Sequence, residues 1–250
     1  MIELIDIAKY FGEVRAVDGI SLMVPKGEFF AVLGPNAAGK TTTIKMLVGL
    51  IKPTRGSAKV AGFDIQKEPL EARSRLSYVP DFPFLYDKLT PLEFMRFTGQ
   101  LFRMDEGKIK SGITELVATF SLEPWLNLPI EGLSHGTRQR VAIASALLHD
   151  PEVFVIDEPM VGLDPHHARV VKDTLKARTQ RGMTVFLSTH QISVAEEMAD
   201  RVGIVHRGKL VAVGTPRELH SQAGTGGALE SAFLALTEET NSETLPAPAD

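Results

Sequence analysis

The nine residues GPNAAGKTT, Gly34 to Thr42, follow directly on the apolar run Phe29-Phe30-Ala31-Val32-Leu33. They fit G-x-x-x-x-G-K-[ST], with Gly34, Gly39, Lys40 and Thr41 at the fixed positions and Pro35, Asn36, Ala37 and Ala38 between the glycines. Such a loop, set between a buried strand and a helix, wraps its backbone N–H groups around the phosphates of a nucleotide. The glycines permit a tight turn and a close approach to the ligand. Lys40 reaches the outer phosphates as a point charge, and the Thr41 hydroxyl is offered to Mg²⁺, with Thr42 next in the same turn. The helix predicted over 39–50 points the positive end of its dipole at the same place. A glycine-rich strand-to-helix turn with a chance match is the plainer alternative, disfavoured by the presence of the context that the motif requires.

Further along, VFVIDEP (Val153–Pro159) is an apolar strand that ends in two acids. An acid at the carboxyl end of a strand beside a phosphate loop is placed to hold Mg²⁺ through water, which suits Asp157. Glu158 can then accept a proton from a water aimed at the γ-phosphate. Taken alone, the pair reads equally as a strand capped by solvated acids. LSTHQ (Leu187–Gln191) ends another apolar strand with His190, which reaches the same edge if the strands share a sheet. LSHGTRQR (Leu133–Arg140) opens a helix with Ser134 as its N-cap, a second helix end able to receive an anion.

Composition narrows the classes. The chain has 250 residues, 31 acidic and 27 basic, for a net charge of −4. That balance argues against a nucleic-acid partner, which calls for a basic face. There is no cysteine, so disulfides and thiolate metal sites are excluded. The opening MIELIDIAKYFG lacks a long apolar run and reads as no signal peptide. The longest apolar-looking run, Val141 to Leu148, is too short to span a bilayer. The expectation is a soluble, cytoplasmic chain that can dock on a membrane protein.

Short β-branched or aromatic runs predict strands at Ile2–Ile7, Ile20–Val24, Phe29–Leu33, Leu76–Val79, Val153–Ile156, Thr184–Ser188, Val202–Val205 and Leu210–Val213. Periodic segments predict helices near 39–50, 91–103, 108–119, 136–148, 166–179 and 191–200. The alternation implies an α/β domain with a mostly parallel sheet. Residues 88–135 interrupt it with helices alone and read as an inserted lobe. After His220, SQAGTGG reads as a linker, followed by an amphipathic segment from Ala228 to Thr237 with Leu229, Phe233 and Leu236 at helical spacing, and a disordered tail from Asn241.

Over roughly residues 2–220 these stretches, in this order, resemble the nucleotide-binding subunits of ATP-binding cassette (ABC) transporters. GPNAAGKT looks like the family's phosphate loop, LSHGTRQR like its signature and VFVIDEP like its Mg²⁺ and base strand. GLDP (Gly162–Pro165) is similar to the D-loop, which brings in Asp164, and His190 to the switch histidine. KYFG (Lys9–Gly12) sits where the family stacks an aromatic on adenine, making Phe11 the first candidate and Tyr10 the second.

The resemblance implies a P-loop NTPase (RecA-like) fold. Its parts would be a mostly parallel core sheet, an N-terminal antiparallel β subdomain and a helical lobe over about 88–140. The ATP-binding domain would span 1–220 and the C-terminal segment 221–250. It implies ATP and Mg²⁺ as ligands and two cassettes facing head to tail, the second being another copy or a paralogue. Ser134 and Gly136 would then meet the γ-phosphate held by Lys40 of the other cassette. The membrane-spanning permease subunits would be separate chains, placing this one on the inner face of the cell membrane. LYDKLTPLEFMRFTGQLFRM and ALESAFLALTEE look like the exporter-type branch with separate small permeases. The aromatics between Phe82 and Phe102 would serve the lobe's core and, in part, a surface for a permease coupling helix.

Three places depart from the family pattern. Ala37 stands where many relatives have glycine, at a cost of about 1 kcal/mol if φ there is positive. His135 and Thr137 replace the common Gly and Gln of the signature. Asp81, in YVPD, replaces a glutamine that touches Mg²⁺, so it either substitutes at the metal or only hinges the lobe. The competing reading is a soluble, non-transport ATPase of the same family, such as a metal-cluster assembly type. A nucleotide-binding regulator without turnover is disfavoured by the presence of Glu158.

Overall fold

The computed structural model describes residues 1–222, 229–230 and 233–234. The first strands are β1 (Ile2–Phe11), β2 (Val14–Val24), β3 (Phe29–Leu33), β4 (Arg55–Val60) and β5 (Phe63–Asp64). After them come β6 (Leu76–Val79), β7 (Val153–Asp157), β8 (Thr184–Thr189), β9 (Arg201–His206) and β10 (Lys209–Gly214). The helices are α1 (Lys40–Leu47), α2 (Pro69–Ser74), α3 (Pro91–Leu101), α4 (Glu106–Thr119), α5 (His135–Leu147), α6 (Pro165–Gln180), α7 (Ile192–Met198) and α8 (Pro216–Gln222).

Two sheets organise them. One is antiparallel, in the order β2-β1-β4-β5. The other runs β10-β9-β3-β8-β7-β6 and is parallel except for the β9–β10 hairpin. Every residue of β3, β7 and β8 is buried, as expected of parallel strands covered on both faces. Alternation along β3 divides the interior. Phe29, Ala31 and Leu33 pack with the helical segments, while Phe30 and Val32 pack with the antiparallel sheet and α1.

Between β6 and β7 the chain is helical. Thr90 opens α3 with a full capping box: its hydroxyl accepts from the Glu93 N–H, and the Glu93 carboxylate accepts from the Thr90 N–H. Asp105 caps α4 in the simpler way. A mostly parallel core sheet, an antiparallel β sheet and an inserted helical lobe make up the P-loop NTPase fold.

The structure adds to the expected elements. The strand expected at Ile20–Val24 begins at Val14, because β2 pairs with β1 down to the turn, Phe11 opposite Val14. β4, β5, α2 and α8 had no sequence signal strong enough to be expected. The helix expected to reach residue 50 stops at Leu47, since Gly49 turns into the left-handed region at φ 71° and its N–H bonds the Met46 carbonyl. Leu229 is buried and Phe233 half-buried against the core. Leu236 and the tail expected from Asn241 lie outside the described residues, as does most of the linker and of the 221–250 segment.

Candidate active site

Strand register builds the site. Leu33 pairs with Thr189 across β3–β8, Asp157 with Ser188 across β7–β8, and Val79 with Ile156 across β6–β7. The carboxyl ends of β3, β6, β7 and β8 therefore finish at one level. The segments that leave them, Gly34 onward, Asp81, Asp157-Glu158 and His190, emerge along one edge of the sheet, where ligands bind in open α/β folds.

The phosphate loop is held at both ends. A Cβ on Gly34 would lie 2.4 Å from the Val205 carbonyl oxygen, and one on Gly39, at φ 106°, would lie 2.5 Å from that of Ala16, so both positions require glycine. Gly208 donates its N–H to the Ala38 carbonyl at 2.8 Å. Ala37 sits at φ 63°, which fulfils the condition under which alanine is strained there.

Lys40 is buried and folds back over the loop, its Nζ donating to the carbonyls of Gly34 at 2.6 Å and Pro35 at 3.0 Å. Burial pushes its ammonium below the usual lysine range, against the pull of Glu158 and Asp157. Thr41 Oγ1 donates to Asp157 Oδ2 at 2.9 Å. One cleft of about 450 Å³ is lined by Asn36, Ala37, Ala38, Gly39, Lys40, Thr41 and Thr42 on one side and by Asp81, Asp157 and Glu158 on the other.

Glu158 stands at φ 47°, an uncommon conformation for a residue with a side chain. Its carboxylate is held twice, by the Thr189 hydroxyl at 3.1 Å and by His190 Nδ1 at 2.7 Å. Asp81 faces the same acids. Burial first, then Asp157 and Glu158, raise its carboxyl above the ordinary range, while His135 and His190 pull it down.

Ser134, Gly136 and Asp164 stand outside that cleft. Ser134 caps α5, its Oγ accepting from the Thr137 N–H at 3.3 Å. Asp164 caps α6, accepting from the N–H groups of His166 and His167, and the hydrogen bond from His167 holds its carboxyl down at about 2. Phe11 ends β1, half-exposed, with the Lys9 ammonium 5.2 Å from its ring centre. On that side the cleft wall is Val14, Arg15 and Ala16.

Sequence reasoning missed Arg15 and Arg207 on the cleft and Thr189 beneath Glu158. The two arginines sit in no motif, and only folding brings them to the loop. Thr189 adjoins His190, so the end of an apolar strand was the one available signal.

The chain is similar to several known proteins. Residues 17–161, more than half of the chain, match the family model described as ABC transporter. The linearmycin resistance ATP-binding protein LnrL of Bacillus subtilis (strain 168) is 37% identical over 224 residues, covering 90% of this chain and 72% of that protein. A longer relative is the probable multidrug ABC transporter ATP-binding protein YbhF of Escherichia coli (strain K12). It is 35% identical over 97% of this chain, and the match covers 43% of its own length. The solved structure of an ATP binding subunit of an ABC transporter superimposes with a TM-score of 0.90 at 31% identity, covering 95% of this chain and 99% of that one. A dimeric ATP-binding cassette in a post-hydrolysis state, bound to ADP and Pi, gives 0.79 at 27% identity, covering 86% and 98%.

Proposed function

Since this chain belongs to the ABC transporter family, as an ATP-binding and ATP-hydrolysing subunit of its exporter-type branch, we propose that it powers separate membrane-spanning permease subunits by closing on ATP against a second cassette. The observation that carries the reading is the convergence of Lys40, the Thr41–Asp157 pair and the Glu158–His190 pair on one cleft.

On binding, the triphosphate takes the place of the Gly34 and Pro35 carbonyls at Lys40 Nζ, and the loop N–H groups close around it. Thr41, Asp157 and Asp81 form a set of hard oxygen donors that fits Mg²⁺. Among the described residues no three or more His, Cys, Asp or Glu form a metal-holding group by themselves. When bound, Mg²⁺ supplies charge neutralisation at the transferring phosphoryl group.

Glu158 accepts the proton of the attacking water. His190 and Thr189 hold that carboxylate in place, and His190 keeps its second ring nitrogen for the γ-phosphate. Ser134 and Gly136 belong to the opposite site, where they meet the γ-phosphate bound by Lys40 of the second cassette, and Asp164 lies in the loop between the two. The adenine stacks at the end of β1, on Phe11 or beside it.

No helix among the described residues is long and apolar enough to cross a membrane. The relatives are named as ATP-binding proteins, which supports assigning the permease to other chains and this one to a peripheral position on the inner face of the membrane. An exposed aromatic surface supports that assignment. Phe84 is 90% exposed, Phe82, Tyr86, Phe97 and Leu101 are exposed beside it, and a 200 Å³ cavity opens between Tyr78, Pro83, Phe84, Phe94, Phe102 and Ala142. The drug-resistance and multidrug names of the relatives favour transport over a soluble ATPase.

Complementation tests the composite site. Lys40→Ala and Ser134→Arg chains, each inactive alone, should regain Mg²⁺-dependent ATPase when mixed, because mixed dimers contain one intact site. Full activity of Ser134→Arg by itself would remove the signature from the reaction.

A further inference from the structure

Three segments meet at the side chain of His135, the first residue of α5. On one side the Phe82 ring meets the imidazole edge-on, with ring centres 6.1 Å apart and planes at 66°. On the other lies Gly162, at φ 77°, where a Cβ would fall 2.2 Å from His135 Cδ2. The contact continues one residue on, since a Cβ on Gly136 would lie 2.5 Å from the Gly162 carbonyl oxygen. Phe82 follows Asp81 in the loop after β6, and Gly162 precedes Asp164 in the loop after β7.

We propose that His135 is a positioning residue, a wedge that locks the loop bearing Asp81 and the loop bearing Asp164 to the first turn of α5. A glycine at this position has no side chain to touch Phe82 or to fill the space beside Gly162. The imidazole does both at the surface, where His135, Phe82 and Gly162 are all exposed, and its contacts join one loop to the other two segments. The kinetic consequence rests on the ATPase reading above; the packing does not. Small misplacements of groups around a reacting centre cost up to about a hundredfold in rate, so loss of the wedge is expected to show in turnover rather than in ATP affinity.

The test uses the full chain with His135→Gly, His135→Phe, Phe82→Ala and the double variant His135→Gly/Phe82→Ala. Amide hydrogen exchange without nucleotide reads the wedge directly. His135→Gly and Phe82→Ala should each raise exchange in residues 81–87 and 159–164, and His135→Phe, which keeps a ring there, should not. With ATP, the two single variants should lower kcat on the order of tenfold at unchanged KM. The double variant should be no worse than His135→Gly, because the two residues share one contact.

Unchanged exchange in both loops overturns the proposal, as does multiplication of the two single effects in the double variant. A His135→Phe chain as slow as His135→Gly beside a normal Phe82→Ala chain also overturns it, by assigning the role to the ring nitrogens. Should His135→Gly fail to fold, His135→Phe and Phe82→Ala still decide. Absence of ATPase in the unaltered chain would sink the functional reading and leave the exchange experiment standing.

Discussion

His190 Nδ1 lies 2.7 Å from one carboxylate oxygen of Glu158, and the hydroxyl of the preceding residue, Thr189, lies 3.1 Å from the other. Two consecutive residues at the end of β8 thus hold both oxygens of an acid that leaves β7. The backbone completes the grip, the Glu158 N–H donating to the Ser188 carbonyl at 2.9 Å. A left-handed φ at a residue with a side chain costs of order 1–3 kcal/mol, and it persists here because three bonds define where Glu158 must be.

Glu158→Gln is expected to keep ATP binding and lose at least a hundredfold in turnover, since the amide has the shape of the carboxylate and no basicity. It should accumulate an ATP-bound dimer, visible by size-exclusion chromatography. His190→Ala should also lower turnover, through misplacement of Glu158. Single-turnover ATPase assays check both, and normal turnover by Glu158→Gln would end the general-base assignment.

Asp81 shares its cleft with Asp157 and Glu158, and burial together with those two acids raises its carboxyl. A metal-contacting Asp81 and a merely hinging one differ in what its removal does. Asp81→Ala should raise the Mg²⁺ concentration for half-maximal ATPase several-fold and slow turnover, with ATP still bound. Superimposable Mg²⁺ titrations of the two chains would leave Asp81 only the hinge.

Ala37 holds a φ of 63° at an exposed position of the phosphate loop. Ala37→Gly relieves about 1–2 kcal/mol of left-handed strain and gives back about 0.5–1 kcal/mol in the entropy of the unfolded chain. The net expectation is a gain of roughly 0.5–1 kcal/mol in urea denaturation, with ATP affinity little changed. A loss of stability would mean that the Ala37 methyl makes a favourable contact.

His149 stacks on Phe102, ring centres 3.5 Å apart and planes at 9°, and its Nε2 lies 3.4 Å from Ser77 Oγ. Burial pushes its imidazole down to about 4, with Asp150 opposing. The folded protein therefore holds a neutral ring where the unfolded chain, with an ordinary value near 6.5, takes up a proton. Between pH 6.5 and 4 the unfolded state binds more protons, so stability falls with falling pH, by at most about 3 kcal/mol from this group. His149→Phe keeps an aromatic stack and should flatten that slope. Urea denaturation at pH 7.5, 6 and 5 for both chains measures the difference.

The strands of the core sheet were readable because each carries its own signal. Val153–Asp157 and Phe29–Leu33 are continuous apolar runs, and a run buried on both faces announces itself without reference to its neighbours. The phosphate loop is local in the same sense, since its glycines, lysine and threonine lie within nine residues. Arg55–Val60 carried no such signal. RGSAKV becomes a strand because Ile2 to Ala8 lies alongside it, Ile2 opposite Val60 and Leu4 opposite Ala58, and pairing supplies what propensity lacks. PLEARS is too short to show a helical period.

Chain order placed Lys40, Asp157, Glu158 and His190 in a list of candidates, and strand register put them on one edge. Their side-chain identities follow from chemistry that any phosphate site demands, which is local information. How they are held is not local. The Thr189 and His190 bonds to Glu158, the approach of Asp81 to the two acids, and the seat of His135 between Phe82 and Gly162 each join residues 27 to 77 positions apart on loops from different strands. Such contacts depend on angles and distances set by the whole packed sheet, because a side chain's partners are decided by which strand ends finish side by side.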